Sequence, residues 1–198
     1  MKKGPKIVVV GGGSYNWMPT ILSDMMRTPE LDGSRIVLFD PNLKAAREVA
    51  ACAEAVNTAL GTHFGVQSTS RETGALSGAD FIVITISTGG LEAMAHDLRV
   101  PERFGIYHTV GDTVGPGGWS RTLRNVPVFL HLAERIRRLC PRAIILNYTN
   151  PMSIMCLAAA RASAAKVIGL CHSVQGASHS LAAWTGVPYE ELKWTCAG

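Results

Sequence analysis

Short β-branched runs alternate with amphipathic stretches along the whole chain, which predicts buried strands separated by helices. Lys6–Val10 (KIVVV), Arg35–Phe39 (RIVLF), Phe64–Thr69, Asp80–Ile86 (DFIVITI), Arg142–Leu146 (RAIIL) and Lys166–Leu170 (KVIGL) form the strand set, with a short strand at Lys193–Cys196. Helices are expected over Met18–Arg27, Leu43–Leu60, Leu91–Phe104, Trp119–Leu139, Pro151–Arg161 and Ser173–Thr185. Gly61 stops the second of these, Pro127 is expected to kink the fourth, and Gly105 to Gly118 reads as a loop. Strand patterns alternating with helical ones specify an α/β domain. The expected form is a mostly parallel Rossmann-type sheet with helices on both faces, spanning residues 1–198 as one unit.

Composition narrows the class. At 198 residues the chain is long enough for one domain with a core, and 47% hydrophobic against 17% charged residues excludes a disordered segment. Lys and Arg exceed Asp and Glu by four, but the excess is spread evenly, so neither a nucleic acid nor a membrane surface is an expected partner. The apolar run behind the basic N-terminus, Ile7 to Val10, is too short for a secretory segment, and a cytoplasmic location is expected. Cys52, Cys140, Cys156, Cys171 and Cys196 contain no C-x-x-C pair, consistent with reduced thiols, and all but Cys171 are expected to be small buried apolar residues.

Candidate chemistry begins at Gly11-Gly12-Gly13-Ser14-Tyr15-Asn16, between the first strand and the first helix. Glycines there permit a tight turn and close approach to a pyrophosphate, while the helix start supplies amide donors. The third fingerprint glycine is replaced by Asn16, and a plain tight connection is the alternative. Asp40 ends the second strand, where a carboxylate can accept the ribose hydroxyls of a dinucleotide. Pro41 follows instead of an arginine, which favours NAD over NADP. The alternative for Asp40 is a helix cap.

Further motifs follow in order. They are Gly89-Gly90 after the fourth strand, Gly111-Asp112-Thr113-Val114-Gly115-Pro116-Gly117-Gly118, Asn147-Tyr148-Thr149-Asn150-Pro151, and Cys171-His172-Ser173-Val174. Together with the first glycine turn they resemble the NAD-dependent glycosidases of glycoside hydrolase family 4, a known exception to the two-carboxylate mechanism. The Cys-His-Ser-Val form resembles the α-galactosidase and α-glucosidase branch. The segment Ile84-Thr85-Ile86-Ser87-Thr88 lacks the arginine of the branches that act on 6-phosphorylated sugars, which favours a non-phosphorylated glycoside.

The resemblance implies NAD and a divalent metal, usually manganese, as cofactors. It implies oxidation at C3 of the sugar, elimination across C1 and C2, water addition and re-reduction. Under it Gly11, Gly13, Ser14, Tyr15, Asn16, Asp40, Gly89 and Gly90 contact the cofactor, and Cys171 is a metal ligand. His172 is the proton donor to the leaving group, Asn150 binds the sugar, and Asn147 lies near the sugar or nicotinamide. Alternatives stay open: Cys171 as a core cysteine, His172 as a structural histidine, Asn150 as a helix cap. Neighbours in extended chain point to opposite sides, so Cys171 and His172 are assigned different roles. The remaining histidines, and Trp17, Trp119, Trp184 and Trp194, read as surface or packing residues.

Family members are about twice as long. Their second domain carries the C2-proton base and a histidine ligand after a Cys-Ala-Gly segment; this chain ends at Cys196-Ala197-Gly198. The expectation is an N-terminal half that binds NAD without hydrolysing glycosides, with exposed apolar surface and a tendency to form homo-oligomers. A 2-hydroxy-acid dehydrogenase and a non-catalytic NAD-binding module are the competing readings.

Overall fold

The computed structural model describes residues 4–163 and 165–196. Met1-Lys2-Lys3 of the basic N-terminus and the final Ala197-Gly198 of the Cys-Ala-Gly segment lie outside the described residues.

Six parallel strands form one sheet: β1 (Lys6–Val10), β2 (Arg35–Phe39), β3 (Gly65–Thr69), β4 (Phe81–Ile84), β5 (Ile144–Asn147) and β6 (Lys166–Gly169). Their spatial order is β3-β2-β1-β4-β5-β6. The chain therefore reverses its winding between β1 and β4, and the crevice at that switch is where open α/β sheets take ligands.

The helices are α1 (Met18–Met26), α2 (Leu43–Leu60), α3 (Glu72–Leu76), α4 (Gly90–Glu102), α5 (Gly115–Leu139), α6 (Met152–Ser163) and α7 (Ser173–Thr185). Side-chain alternation along β1 explains the two-sided burial. Ile7 and Val9 pack with Met18, Leu22 and Val49 on one face, while Val8 and Val10 pack with Phe129, Ile136 and Met155 on the other. The expected Rossmann-like sheet, covered by helices on both faces, is the observed one.

Several details differ. Helix α5 begins at Gly115, four residues earlier than its apolar pattern indicates, and runs through Pro127 to Leu139 as one helix. Proline is tolerated in a first turn, so Pro116 opens this helix instead of excluding it. Helix α3 is too short to show a period. Lys193–Cys196 forms no strand, since the sheet ends at β6 and the segment pairs with neither edge. Cys140 is buried as expected, but Cys52 and Cys196 are exposed. No described helix is long and apolar enough to cross a membrane.

Candidate active site

The carboxyl ends of β1, β2, β4, β5 and β6 open into one cavity of about 1140 Å³. That exceeds the ~300–1000 Å³ usual for a single drug-sized ligand. Gly11, Gly13, Ser14, Asn16, Asp40, Asn150, Cys171 and His172 all line it.

After β1 the chain turns sharply because the amides of Gly11 and Gly12 both donate to the Phe39 carbonyl, each at 3.0 Å. Ser14 N–H donates to the Gly11 carbonyl and Gly13 N–H to Asp40 Oδ2 at 3.0 Å. The four amides of the glycine turn are thus consumed internally. Among the described residues it is the amides of Tyr15, Asn16 and Trp17, just before α1, that have no internal acceptor. Of these, Asn16 and Trp17 line the cavity, so a bound anion would meet their amides just before α1 and not those of the glycines.

Asp40 is anchored on both oxygens, since Oδ1 accepts the Asn42 amide at 2.8 Å. It does not cap α2; Asn42 does, accepting from the Ala45 amide at 3.2 Å. The Asp40 carboxylate is held at the cavity wall with lone pairs to spare for further donors.

Three expected cofactor contacts stand away from the cavity. Tyr15 is largely exposed, and its hydroxyl donates to Glu48 of α2. Gly89 and Gly90 start α4 and do not line the cavity; Thr85, Ile86, Ser87 and Thr88 line it instead.

The two asparagines after β5 divide. Asn147 is fully buried, with Nδ2 donating to the Thr149 carbonyl at 3.1 Å and Oδ1 accepting the Thr149 amide at 2.8 Å. Its side chain braces the loop and does not line the cavity. Asn150 does line it, and its Nδ2 donates to Asp112 Oδ2 at 3.0 Å instead of capping a helix. The Asn150 carbonyl, before a cis bond to Pro151, accepts from Asn125 Nδ2 at 2.9 Å and Arg121 Nε at 3.3 Å.

Cys171 and His172 follow β6 at the start of α7. The opposite-sides expectation fails because His172 is in the helical region (φ −88°, ψ −9°), not extended, and both residues border the same cavity. The Cys171 thiol is held below its usual range by the Ser173 hydroxyl, followed by the Ser173 and Val174 amides. Such a group is available as a thiolate ligand. Among the described residues no three of His, Cys, Asp and Glu gather into a metal-binding cluster. The His172 ring lies against Trp17, with ring centroids 5.9 Å apart.

Among the cavity residues to which sequence reasoning gave no role are Trp17, read as packing, and Arg121; Asp112 also lines the cavity. Asp112 stood in a quoted motif, but its glycines drew attention to turns. Arg121 had no local signal, because its partner Asn150 lies 29 residues away.

The sequence is 39% identical over 183 residues to an α-galacturonidase of Bacillus subtilis, covering 89% of this chain and 39% of that protein. It is 33% identical over 194 residues to an α-galactosidase of the same organism, covering 98% of this chain and 45% of that one. In structure it is similar to a 6-phospho-α-glucosidase from gut microorganisms, solved in complex with NAD and Mn²⁺. The TM-score there is 0.85 at 25% identity, covering 96% of this chain and 44% of that one. The chain spans less than half the length of each of these relatives. Residues 6–187 match the sequence profile of family 4 glycosyl hydrolases, with the fold and cavity described above, and the chain belongs to that family.

Proposed function

We propose that this chain forms the cofactor-binding face, and one wall of the sugar site, of an NAD- and divalent-metal-dependent glycosidase. The substrate class is a non-phosphorylated α-linked hexoside or hexuronide. The observation that carries this reading is a single cavity holding the Asp40–Gly13 clasp, Asn150, Cys171 and His172 at one sheet edge.

Asp40 receives the adenosine ribose hydroxyls, and its charge together with Pro41 disfavours a 2′-phosphate. The free amides of Asn16 and Trp17, at the cavity, face the pyrophosphate. Asn150 holds a sugar hydroxyl while Asp112 fixes its amide. Cys171 supplies one thiolate to the metal, and His172, steadied by Trp17, gives a proton to the departing oxygen. When bound, the nicotinamide supplies reversible hydride transfer at C3 and the cation a Lewis acid for the sugar oxygens.

Family membership sets aside the 2-hydroxy-acid dehydrogenase reading. Free cysteines and the lack of a membrane-length helix among the described residues support a cytoplasmic setting. Exposed Phe104, Tyr107, Val114 and Trp119 around the α4–α5 connection support self-association.

The test is a manganese titration of the chain with NAD present. Cys171→Ser is expected to weaken manganese binding at least tenfold (roughly 1.4 kcal/mol) while leaving NAD affinity unchanged. Equal manganese affinity in the two proteins would remove Cys171 from the metal site.

A further inference from the structure

Arg121 leaves α5 half-buried and enters the cavity beside Asn150. Its Nε donates to the Asn150 carbonyl at 3.3 Å. Its two terminal nitrogens have no acceptor among the described residues, and it belongs to none of the ion pairs there. The neighbouring guanidinium, Arg124, is fully used, pairing with Asp97 through both terminal nitrogens. Arg121 is the sole lysine or arginine among the described residues that line the cavity. A guanidinium that is partly withdrawn from water, with a free fork of donors, matches a planar oxyanion.

The position says which molecule brings that anion. The dinucleotide turn follows β1, whereas Asn150 follows β5, and β4 stands between those two strands. Strands lie about 4.8 Å apart, so Arg121 serves a site roughly 10 Å from the pyrophosphate donors. It lies at the sugar end, where Asn150 and Asp112 are joined.

Charge selects between the acidic groups a hexose can carry at C6. One guanidinium neutralises a carboxylate monoanion through two parallel hydrogen bonds. A phosphate monoester approaching a double charge would keep about one negative charge uncompensated, close to the Asp112 carboxylate. We propose that Arg121 is a specificity-determining residue that pairs with the C6 carboxylate of a hexuronic acid. This rests on the glycosidase reading above and narrows its substrate class to the uronide.

The test uses the whole chain with NAD at pH 7, where a uronate is ionised. D-Galacturonate, D-galactose and D-galactose 6-phosphate are titrated against the parent, Arg121→Gln and Arg121→Lys, and binding is read by ligand-observed NMR. The parent is expected to bind galacturonate at least tenfold more tightly than galactose. In Arg121→Gln that preference disappears while galactose binding is retained; Arg121→Lys, which keeps the charge but not the fork, restores part of it.

Equal losses for galacturonate and galactose would show that Arg121 only braces Asn150, and would overturn the proposal. Tighter binding of the 6-phosphate than of galacturonate, or no galacturonate binding by a chain that binds NAD, would overturn it too. A parent chain that does not bind NAD is a separate outcome, and contradicts the functional reading itself.

Discussion

Gly11→Ala is expected to lower the melting temperature by about 10 °C and to abolish NAD binding. Gly11 has φ +92°, a region L-residues rarely adopt, and a Cβ there would lie 2.0 Å from the Thr85 carbonyl oxygen. That oxygen belongs to backbone at the end of β4, so no side chain can swing aside to relieve the contact. The end of β1 must move away from β4, or the turn must rebuild. Either change moves the Gly11 and Gly12 amides off the Phe39 carbonyl and opens the cavity at the topological switch. A cost of about 3–5 kcal/mol follows from backbone conformation and overlap together.

Gly61→Ala is the matched control. Gly61 also has positive φ, at +66°, but nothing lies within 4 Å of its Cβ position. Conformation alone costs about 1 kcal/mol there. Thermal unfolding of the two variants side by side separates overlap from conformation.

Asp97→Ala is the second large effect. Asp97 is buried in α4, and both its oxygens are taken by Arg124 of α5. The same guanidinium donates to Ser120 Oγ at 3.0 Å and to the Thr88 carbonyl at 3.4 Å. Removing the carboxylate leaves a mostly buried cation without its counter-charge, at a cost of about 3 kcal/mol. It also frees the Thr88 loop at the cavity edge, so a weaker NAD affinity should accompany the lower stability.

The pH dependence has a definite sign. The Arg124 guanidinium, followed by the Ser120 hydroxyl, holds the Asp97 carboxyl below its usual range. The stabilisation from this ionised group is therefore complete above the unfolded value, near pH 4, and is lost as pH falls through the lower folded value. Urea midpoints of parent and variant should differ fully at pH 7 and converge below about pH 4. A constant gap down to acid pH would remove the ion pair from the account.

The frame of the fold was legible because burial on both faces leaves a local signature. KIVVV and RIVLF have no polar alternation, and the Ala-rich Leu43–Leu60 stretch keeps helical spacing up to its glycine stop. Helix α3 was not legible, as five residues containing Gly74 carry neither period nor cap.

In the candidate site, the sequence identified residues that line the cavity but not how their side chains are directed. Asn147 and Asn150 have the same side chain three residues apart, yet one folds inward on Thr149 and the other faces the cavity. Only the path of the backbone after β5 decides between them. Asp40 could cap a helix or bind a ribose, and Asn42 taking the capping position settled the first alternative. The Arg121–Asn150–Asp112 cluster joins segments 29 and 38 residues apart, a proximity that spacing along the chain cannot show.

Calorimetric titration of the chain with NAD⁺ and with NADP⁺ tests the central claim most directly. The account predicts saturable NAD⁺ binding and at least tenfold weaker NADP⁺ binding, because the Asp40 carboxylate opposes a 2′-phosphate. Asp40→Ala should weaken NAD⁺ and erase the preference. Absence of NAD⁺ binding, or equal affinity of the parent chain for both dinucleotides, would contradict it.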